Sequence, residues 1–333
     1  MMVVWPCRSV GGRPWSRLIC MALAGMWLAS SVLAFDLQGH RGARGLLPEN
    51  SLEGFQKAID LGVSTLELDV GMSRDGVLVI YHDRDISPLF TRDPQGQWME
   101  KTPGTLYSMR WDDISRYDIG RIKPGSSYAR NFASQVPRDG TRIPRLSDLF
   151  EMVKKGGHDH IRFAIETKLS PLAPLETPDP DTFTRALWEA IQQAGMQSRV
   201  QVLSFDWRTL QIMQRLAPQV DTVYLSAQQS WLDNIGAQSS QPSPWTAGIA
   251  FATHGSVPRM IKAAGGRIWS AFQGDLTEPL VREAQGLGLK VLVWTVNQPE
   301  QMARFVEMGV DGLVTDRPDL AADLLKKRGI RIR

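Results

Sequence analysis

Seven ionisable residues dominate the chemistry this sequence offers, and they cluster at the ends of short apolar runs. His40 and Arg41 stand between Gly39 and Gly42 in QGHRGARGLLPENS, Glu67 and Asp69 lie in TLELDV, His82 ends VLVIYHD, and Glu166 and Lys168 lie in AIETK. Side chains two apart on a strand share a face, so Glu67 and Asp69 project one way while Leu66, Leu68 and Val70 project the other. A buried parallel strand is ordinarily apolar on both faces, so carboxylates there cost free energy unless something compensates them. Glu67, Asp69 and Glu166 together form a hard oxygen set suited to one divalent cation, calcium in preference to magnesium for an exported protein. Zinc fits poorly with a set lacking cysteine and clustered histidine. With a divalent cation the three carboxylates sum to −1, and Arg41 and Lys168 bring the site to +1, a charge that a phosphodiester monoanion cancels. His40 and His82 then suit proton transfer, one taking a proton from an attacking oxygen and the other giving one to a leaving oxygen.

Each signal alone has an ordinary structural explanation: a buried carboxylate is often salt-bridged, and a strand-end histidine is often a satisfied core group. Four strands placing ionisable groups at the same end is what singles out a site, because barrel enzymes assemble their active sites there. His158 and His160, in GGHDH, precede a strand and belong to the opposite end, where they read as solvated. His254 falls in a poorly patterned region, and KKRGIRIR reads as a solvated tail.

The elements that must position these residues follow from the apolar pattern. Short apolar runs alternate with helical periodicities, as a parallel α/β fold requires. FDLQGH, STLELDV, VLVIYHD, IRFAIET, RVQVLSF, DTVYLS, KVLVWTVN and DGLVTD read as eight strands, which favours a closed (β/α)8 TIM barrel over an open sheet. IWSAF, at 268–272, reads as a ninth strand outside the expected barrel. Helices are expected over 51–61, 146–154, 181–194, 207–216, 278–287 and 299–308, the first capped by Asn50 and closed by Gly62. No GxGxxG turn follows the first strand, which weighs against a dinucleotide-binding fold. Residues 84–143 carry many turn formers and little apolar periodicity, and read as an insertion after the third strand that forms a lid or wall over one end of the barrel. Residues 228–244 read as an exposed loop.

Residues 1–34 form a segment of their own. Arg8, Arg13 and Arg17 precede the apolar run LICMALAGMWLASSVLA, no acidic residue occurs, and Val32 and Ala34 supply the small residues of a cleavage site. This is the pattern of a signal peptide cleaved after Ala34, leaving 35–333 as an exported, periplasmic domain with no stable membrane span. Removing the segment takes away both cysteines, Cys7 and Cys20, so the mature chain forms no disulfide. It also reduces the formal charge from +3 to 0, which excludes a broad electrostatic attraction to nucleic acid.

GHRGARGLLPENS, LELDV, YHD, IPRLSDL, AIETK, SFD, VLVWTVN and GVDGLVTDRPD occur in the order found in the glycerophosphodiester phosphodiesterase family, which the chain resembles in its exported bacterial form. The resemblance spans nearly the whole mature chain. It implies a TIM barrel with an insertion after the third strand, and hydrolysis of glycerophosphodiesters to sn-glycerol 3-phosphate and an alcohol. It assigns catalysis to His40 and His82, metal binding to Glu67, Asp69 and Glu166, phosphate contacts to Arg41 and Lys168, and a glycerol pocket to Phe205 and Trp294. Glu49 is expected to orient the histidine or arginine, or else to sit as an acid at a helix N-terminus. Thr167 and Arg145 depart from the family's usual residues without removing a catalytic group. Two other readings stand beside this one: a phospholipase D-like or cyclising phosphodiesterase acting on lysophospholipid head groups, and an exported phosphodiester-binding protein without catalysis. The second needs neither an acid nor a base.

Overall fold

Short runs of Leu, Ile and Val alternate with amphipathic helices along residues 34–333, the part described by a computed structural model. The expected signal segment, with Cys7 and Cys20, lies outside the described residues apart from Ala34. The strands are β1 (Asp36–Gly39), β2 (Thr65–Met72), β3 (Leu78–Ile80), β4 (Arg162–Thr167), β5 (Val200–Ser204), β6 (Asp221–Ser226), β7 (Gln228–Gln229), β8 (Leu232–Asp233), β9 (Ile268–Phe272), β10 (Lys290–Trp294) and β11 (Gly312–Thr315). The helices are α1 (Leu52–Asp60), α2 (Trp111–Ile114), α3 (Ser127–Asn131), α4 (Leu146–Lys155), α5 (Pro180–Gln193), α6 (Trp207–Leu216), α7 (Phe251–His254), α8 (Val257–Ala263), α9 (Glu278–Gly286), α10 (Pro299–Glu307) and α11 (Pro318–Lys327).

Eight strands, β1, β2, β4, β5, β6, β9, β10 and β11, pair in parallel and close through β1, which bonds to both β2 and β11. This is a (β/α)8 barrel, with membership that differs from the sequence expectation at two places. IWSAF is β9, a full barrel strand between β6 and β10. VLVIYHD instead supplies β3, which folds back antiparallel on β2 and stays outside the closed ring. The insertion thus follows the third strand in chain order and falls between the second and third strands of the barrel itself. Local apolarity identifies both segments as strands, but pairing partner and direction are set by contacts distant in sequence.

The strand faces sort the core. Leu37, Leu66, Leu68, Phe163, Ile165 and Val202 point outward against Phe55, Leu149, Phe183, Leu210 and Phe305 of the helices. Ala164, Leu203, Val223, Leu225, Ile268 and Leu292 form a separate cluster on the opposite strand faces, inside the barrel. The insertion has a third cluster of its own, Tyr81, Ile86, Phe90, Leu106, Ile114, Tyr117 and Ile119 among them.

Several local expectations shift. Ser51, not Asn50, caps α1, its hydroxyl accepting from the Gly54 amide at 3.0 Å. The C-terminal run is not a free tail: Lys326 and Lys327 end α11, and the Phe35 amide donates to the Arg331 carbonyl at 2.8 Å. Residues 228–244 include the β7–β8 hairpin.

The feature that matters most for the site is the use of one edge of β2. Its first residues pair in parallel with β1, up to Gly39 opposite Leu66. Its later residues pair antiparallel with β3, down to Ile80 opposite Val70, after which the Tyr81 amide donates to the Asp69 carbonyl. β1 and β3 therefore approach one another head to head along β2, and His40 and His82 follow their facing ends. The turn after β1 depends on glycine: Gly42 has φ 86°, and a Cβ there would lie 2.7 Å from the Gly54 carbonyl carbon. Gly42→Ala is expected to lower unfolding free energy by about 1–3 kcal/mol, measured by urea denaturation; an unchanged midpoint would show that the turn relaxes freely.

Candidate active site

His40 leaves β1 with its amide bonded to the Thr315 carbonyl at 2.9 Å, which places the imidazole over the C-terminal end of the barrel. Its Nδ1 lies 2.7 Å from Asp316 Oδ1, and its Nε2 lies 3.9 Å from Glu67 Oε2. His82 enters from β3, with Nδ1 2.5 Å from Asp83 Oδ1. Each carboxylate favours the tautomer with the proton on Nδ1 and leaves Nε2 as the acceptor.

Arg41 occupies the left-handed region at φ 50°, a conformation costly for arginine and held by its surroundings. Its amide donates to Glu67 Oε2 at 2.8 Å, its Nη1 donates to Glu49 Oε1 at 2.7 Å, and its Nε lies 3.2 Å from Asp69 Oδ2. Asn50, also left-handed at φ 53°, donates from Nδ2 to Asp69 Oδ2 at 3.0 Å. Lys168 Nζ donates to Glu166 Oε1 at 2.8 Å and lies 3.5 Å from Asp69 Oδ1. The turn and the strand ends thus hold every member of the cluster by at least one polar contact.

Glu67, Asp69 and Glu166 are all buried, and one oxygen from each lies within 4.8 Å of the others. Burial, together with the charges of Asp69 and Glu166, pushes the Glu67 carboxyl well above the usual carboxylate range. Burial also raises Glu166, partly opposed by Lys168. Burial acts on Asp69 in the same sense, but His82, Lys168, Arg41 and Asn50 outweigh it and hold that carboxyl below its ordinary value. Asp69 Oδ1 is buried without a hydrogen-bond partner. A buried, mutually repelling oxygen set with an orphaned acceptor fits a hard divalent cation, so the residues present suit a metal centre. Burial and the Arg44 charge lower the His40 pKa to about 4, and burial with Arg41 and Lys168 puts His82 well below its ordinary value, so both imidazoles are neutral near pH 7.

His40, Arg41, Glu67, His82, Glu166 and Lys168 line one cavity of about 420 Å³, and Phe205 and Trp294 form part of its other wall. A model of the glycerophosphoryl diester phosphodiesterase family matches residues 40–320. The chain belongs to this family. A glycerophosphodiester phosphodiesterase from Caldanaerobacter subterraneus subsp. tengcongensis is 26% identical over 291 residues, covering 87% of this chain and 97% of that protein. The crystal structure of a Silicibacter pomeroyi relative, 33% identical, covers 90% of this chain and 95% of its own with a TM-score of 0.80. A phosphodiesterase from Oleispira antarctica, solved with its product sn-glycerol-3-phosphate, is 20% identical and shares the fold at a TM-score of 0.64 over 88% of this chain and 97% of its own.

Within this family framework, the structure gathers the ten residues singled out in the sequence around one barrel mouth, with Glu49, just ahead of the α1 N-cap, bonded to Arg41. His254 lies on α7 and does not line the cavity, and His158 and His160 precede β4 at the other end. Other partners were not anticipated. Asp316 holds His40, and Arg44 grips Asp316 through Nε at 2.7 Å and Nη2 at 3.0 Å. Asn297 Nδ2 donates to the same carboxylate at 2.6 Å. The rule that exposed Glu166 also applies to Asp316, which stands directly after β11 in GLVTDRPD. Trp231, on the β7–β8 hairpin, and Phe272, on β9, pack around Trp294 with ring centroids 6.1 and 5.3 Å away.

Burial would raise the Asp316 carboxyl, but Arg44 and His40 hold it well below the usual range. A depressed folded pKa stabilises the fold above the unfolded carboxyl value, about 3.9, and that contribution is lost as pH falls below it. Asp316→Asn is therefore expected to cost about 3 kcal/mol at pH 7, with the gap to wild type narrowing below about pH 4. Guanidinium denaturation at several pH values measures this; a gap that stays constant into acid would disprove the assignment.

Proposed function

We propose that the protein is an exported, calcium-dependent hydrolase that cleaves glycerophosphodiesters to sn-glycerol 3-phosphate and an alcohol. The observation that carries this is the convergence in one cavity of two carboxylate-held histidines, a three-carboxylate cluster, Arg41 and Lys168. The name of the Caldanaerobacter relative and the product bound to the Oleispira phosphodiesterase support the substrate class and product. The basic-then-apolar pattern of residues 1–34 supports export to the periplasm.

Glu67, Asp69 and Glu166 would hold the divalent ion, which supplies Lewis-acid polarisation of a phosphoryl oxygen when bound. Arg41 and Lys168 bind the phosphate oxygens, and the fixed Arg41 turn keeps its guanidinium in register with the histidines. The substrate's own glycerol 2-hydroxyl attacks phosphorus while Nε2 of one histidine takes its proton. The other histidine, protonated as the anionic phosphate raises its pKa, gives its proton to the departing alcohol oxygen. A cyclic phosphodiester forms as the ester bond to the alcohol breaks, and water opens it with the two histidines exchanging roles. Phe205 and Trp294 flank the organic part of the substrate.

His40→Ala and His82→Ala are each expected to reduce turnover of glycerophosphocholine by about 10²–10⁴-fold while leaving the melting transition in place. Chelation is expected to abolish turnover, and calcium to restore it more fully than magnesium. Full activity in chelator would sink the metal assignment, and turnover within about tenfold of wild type in either histidine variant would sink the acid/base pair. A substrate analogue without the 2-hydroxyl is expected to resist cleavage; hydrolysis at the normal rate would replace the cyclic route with direct attack by water.

The apolar wall of Phe205, Trp231, Trp245 and Trp294, with Leu172 and Leu175 exposed on the β4–α5 connection, favours a second reading in which lysophospholipids also enter. Including lysophospholipids in the same product assay decides it. Release of the head-group alcohol supports this reading, and none eliminates it.

A further inference from the structure

The insertion does more than flank the cavity: segment 127–136 is fastened to the loop that carries His40 and Arg41. Gln135 Nε2 donates to the Arg44 carbonyl at 2.8 Å, and the Val136 amide donates to the Leu46 carbonyl at 2.8 Å. From α3, Tyr128 packs its ring between Phe90 and Phe132, with centroids 5.4 and 4.9 Å away. A phenylalanine would satisfy that packing. The hydroxyl is used instead at the site, where it donates to Glu49 Oε2 and lies 3.4 Å from Arg44 Nη1.

Two lines of contact run from this hydroxyl into the cavity. Glu49 is buried and bridges, with Oε2 on Tyr128 and Oε1 on Arg41 Nη1 at 2.7 Å. Arg44, stacked 4.6 Å over Phe132, grips Asp316, which in turn holds His40 Nδ1. A guanidinium can rotate about its long side chain; Asp69 lies beside Nε of Arg41, and Glu49 accepts the hydrogen bond from its Nη1. Glu49 itself needs a donor on its second oxygen to stay in one orientation while buried.

We propose that Tyr128, delivered by the insertion, is a positioning residue that acts through Glu49 to orient Arg41 for the substrate phosphate. This rests on the phosphodiesterase reading for its kinetic consequence, but not for the coupling itself. Such supporting contacts typically change binding or activity by about 10–100-fold when removed.

The test is Tyr128→Phe in the full chain with calcium, assayed on glycerophosphocholine, beside Glu49→Gln and the double variant. The expected result is a fall of about tenfold in kcat/KM for Tyr128→Phe, a cooperative melting transition lowered by only a few degrees, and no further kinetic loss when the change is added to Glu49→Gln. A purely structural tyrosine would not give that non-additivity. Activity within about twofold of wild type, or losses that multiply in the double variant, would overturn the proposal. If the wild-type protein turns over no glycerophosphodiester, the hydrolase reading fails instead, and the Arg41 Nε–H resonance decides the coupling. It is expected to shift in Tyr128→Phe, and an unmoved resonance overturns the inference.

Discussion

Three carboxylates buried within 4.8 Å of one another impose the constraint around which the rest of the site is arranged. Unpaired, each would cost several kcal/mol to desolvate, and together they repel. The fold answers with Arg41 and Lys168 at contact distance, the Arg41 amide on Glu67, and Asn50 on Asp69. The wider inventory sharpens the sequence count. Arg44 is paired with Asp316 and Arg41 with Glu49, so each of these arginines brings a counter-charge of its own. Six carboxylates, Glu49, Glu67, Asp69, Asp83, Glu166 and Asp316, against Arg41, Arg44 and Lys168 leave −3, which a single divalent ion would reduce to −1. Charges paired in this way are held rigidly before substrate arrives, and such preorganisation is where electrostatic catalysis gains most.

Placing two histidines against that cluster is a problem of chain geometry, solved by β2. An ordinary barrel strand is flanked along its whole length by one parallel neighbour on each side. Here β1 stops at Gly39, and β3 returns from beyond the rim to take up the same edge. His40 and His82 arrive from opposite directions at nearly the same height along β2, without either interrupting the closed ring. The hairpin also begins the insertion, so the segment that carries Tyr128 grows out of the element that delivers His82.

The strand-end rule made much of this legible in the sequence, since carboxylates on the inward face of TLELDV and AIETK have no place in an ordinary core. It worked for Glu67, Asp69 and Glu166 because side-chain alternation is local. It did not distinguish β3 from β9. VLVIYHD opens with the longer unbroken apolar run and IWSAF is interrupted by Ser270, yet IWSAF lies inside the ring, because partner choice and direction are decided by long-range pairing. Asp316 is itself the first residue of the turn-like DRP, which hides its place at a strand end. Asn50 looked like a helix cap because asparagine suits that position, whereas its left-handed backbone turns the amide onto Asp69. Tyr128 had no sequence signal: its partner Glu49 is 79 residues away.

The cavity is electrically lopsided, and this bears on which substrates it can tell apart. The charged side comes from β1, β2 and β4 with the residues after β3, while Leu203, Phe205, Leu225 and Trp294 come from β5, β6 and β10. Bidentate and charge-assisted contacts fix a phosphate in position and orientation, so the reacting phosphorus has one productive placement. An apolar wall discriminates far less sharply, by about 1–3 kcal/mol for a methylene gained or lost. The arrangement therefore favours strict selection for the phosphodiester itself and wide tolerance toward the organic group on the apolar side. Narrowing that tolerance would require polar groups at the cavity-lining ends of β5, β6 or β10, which in this chain carry Leu203, Phe205, Leu225 and Trp294.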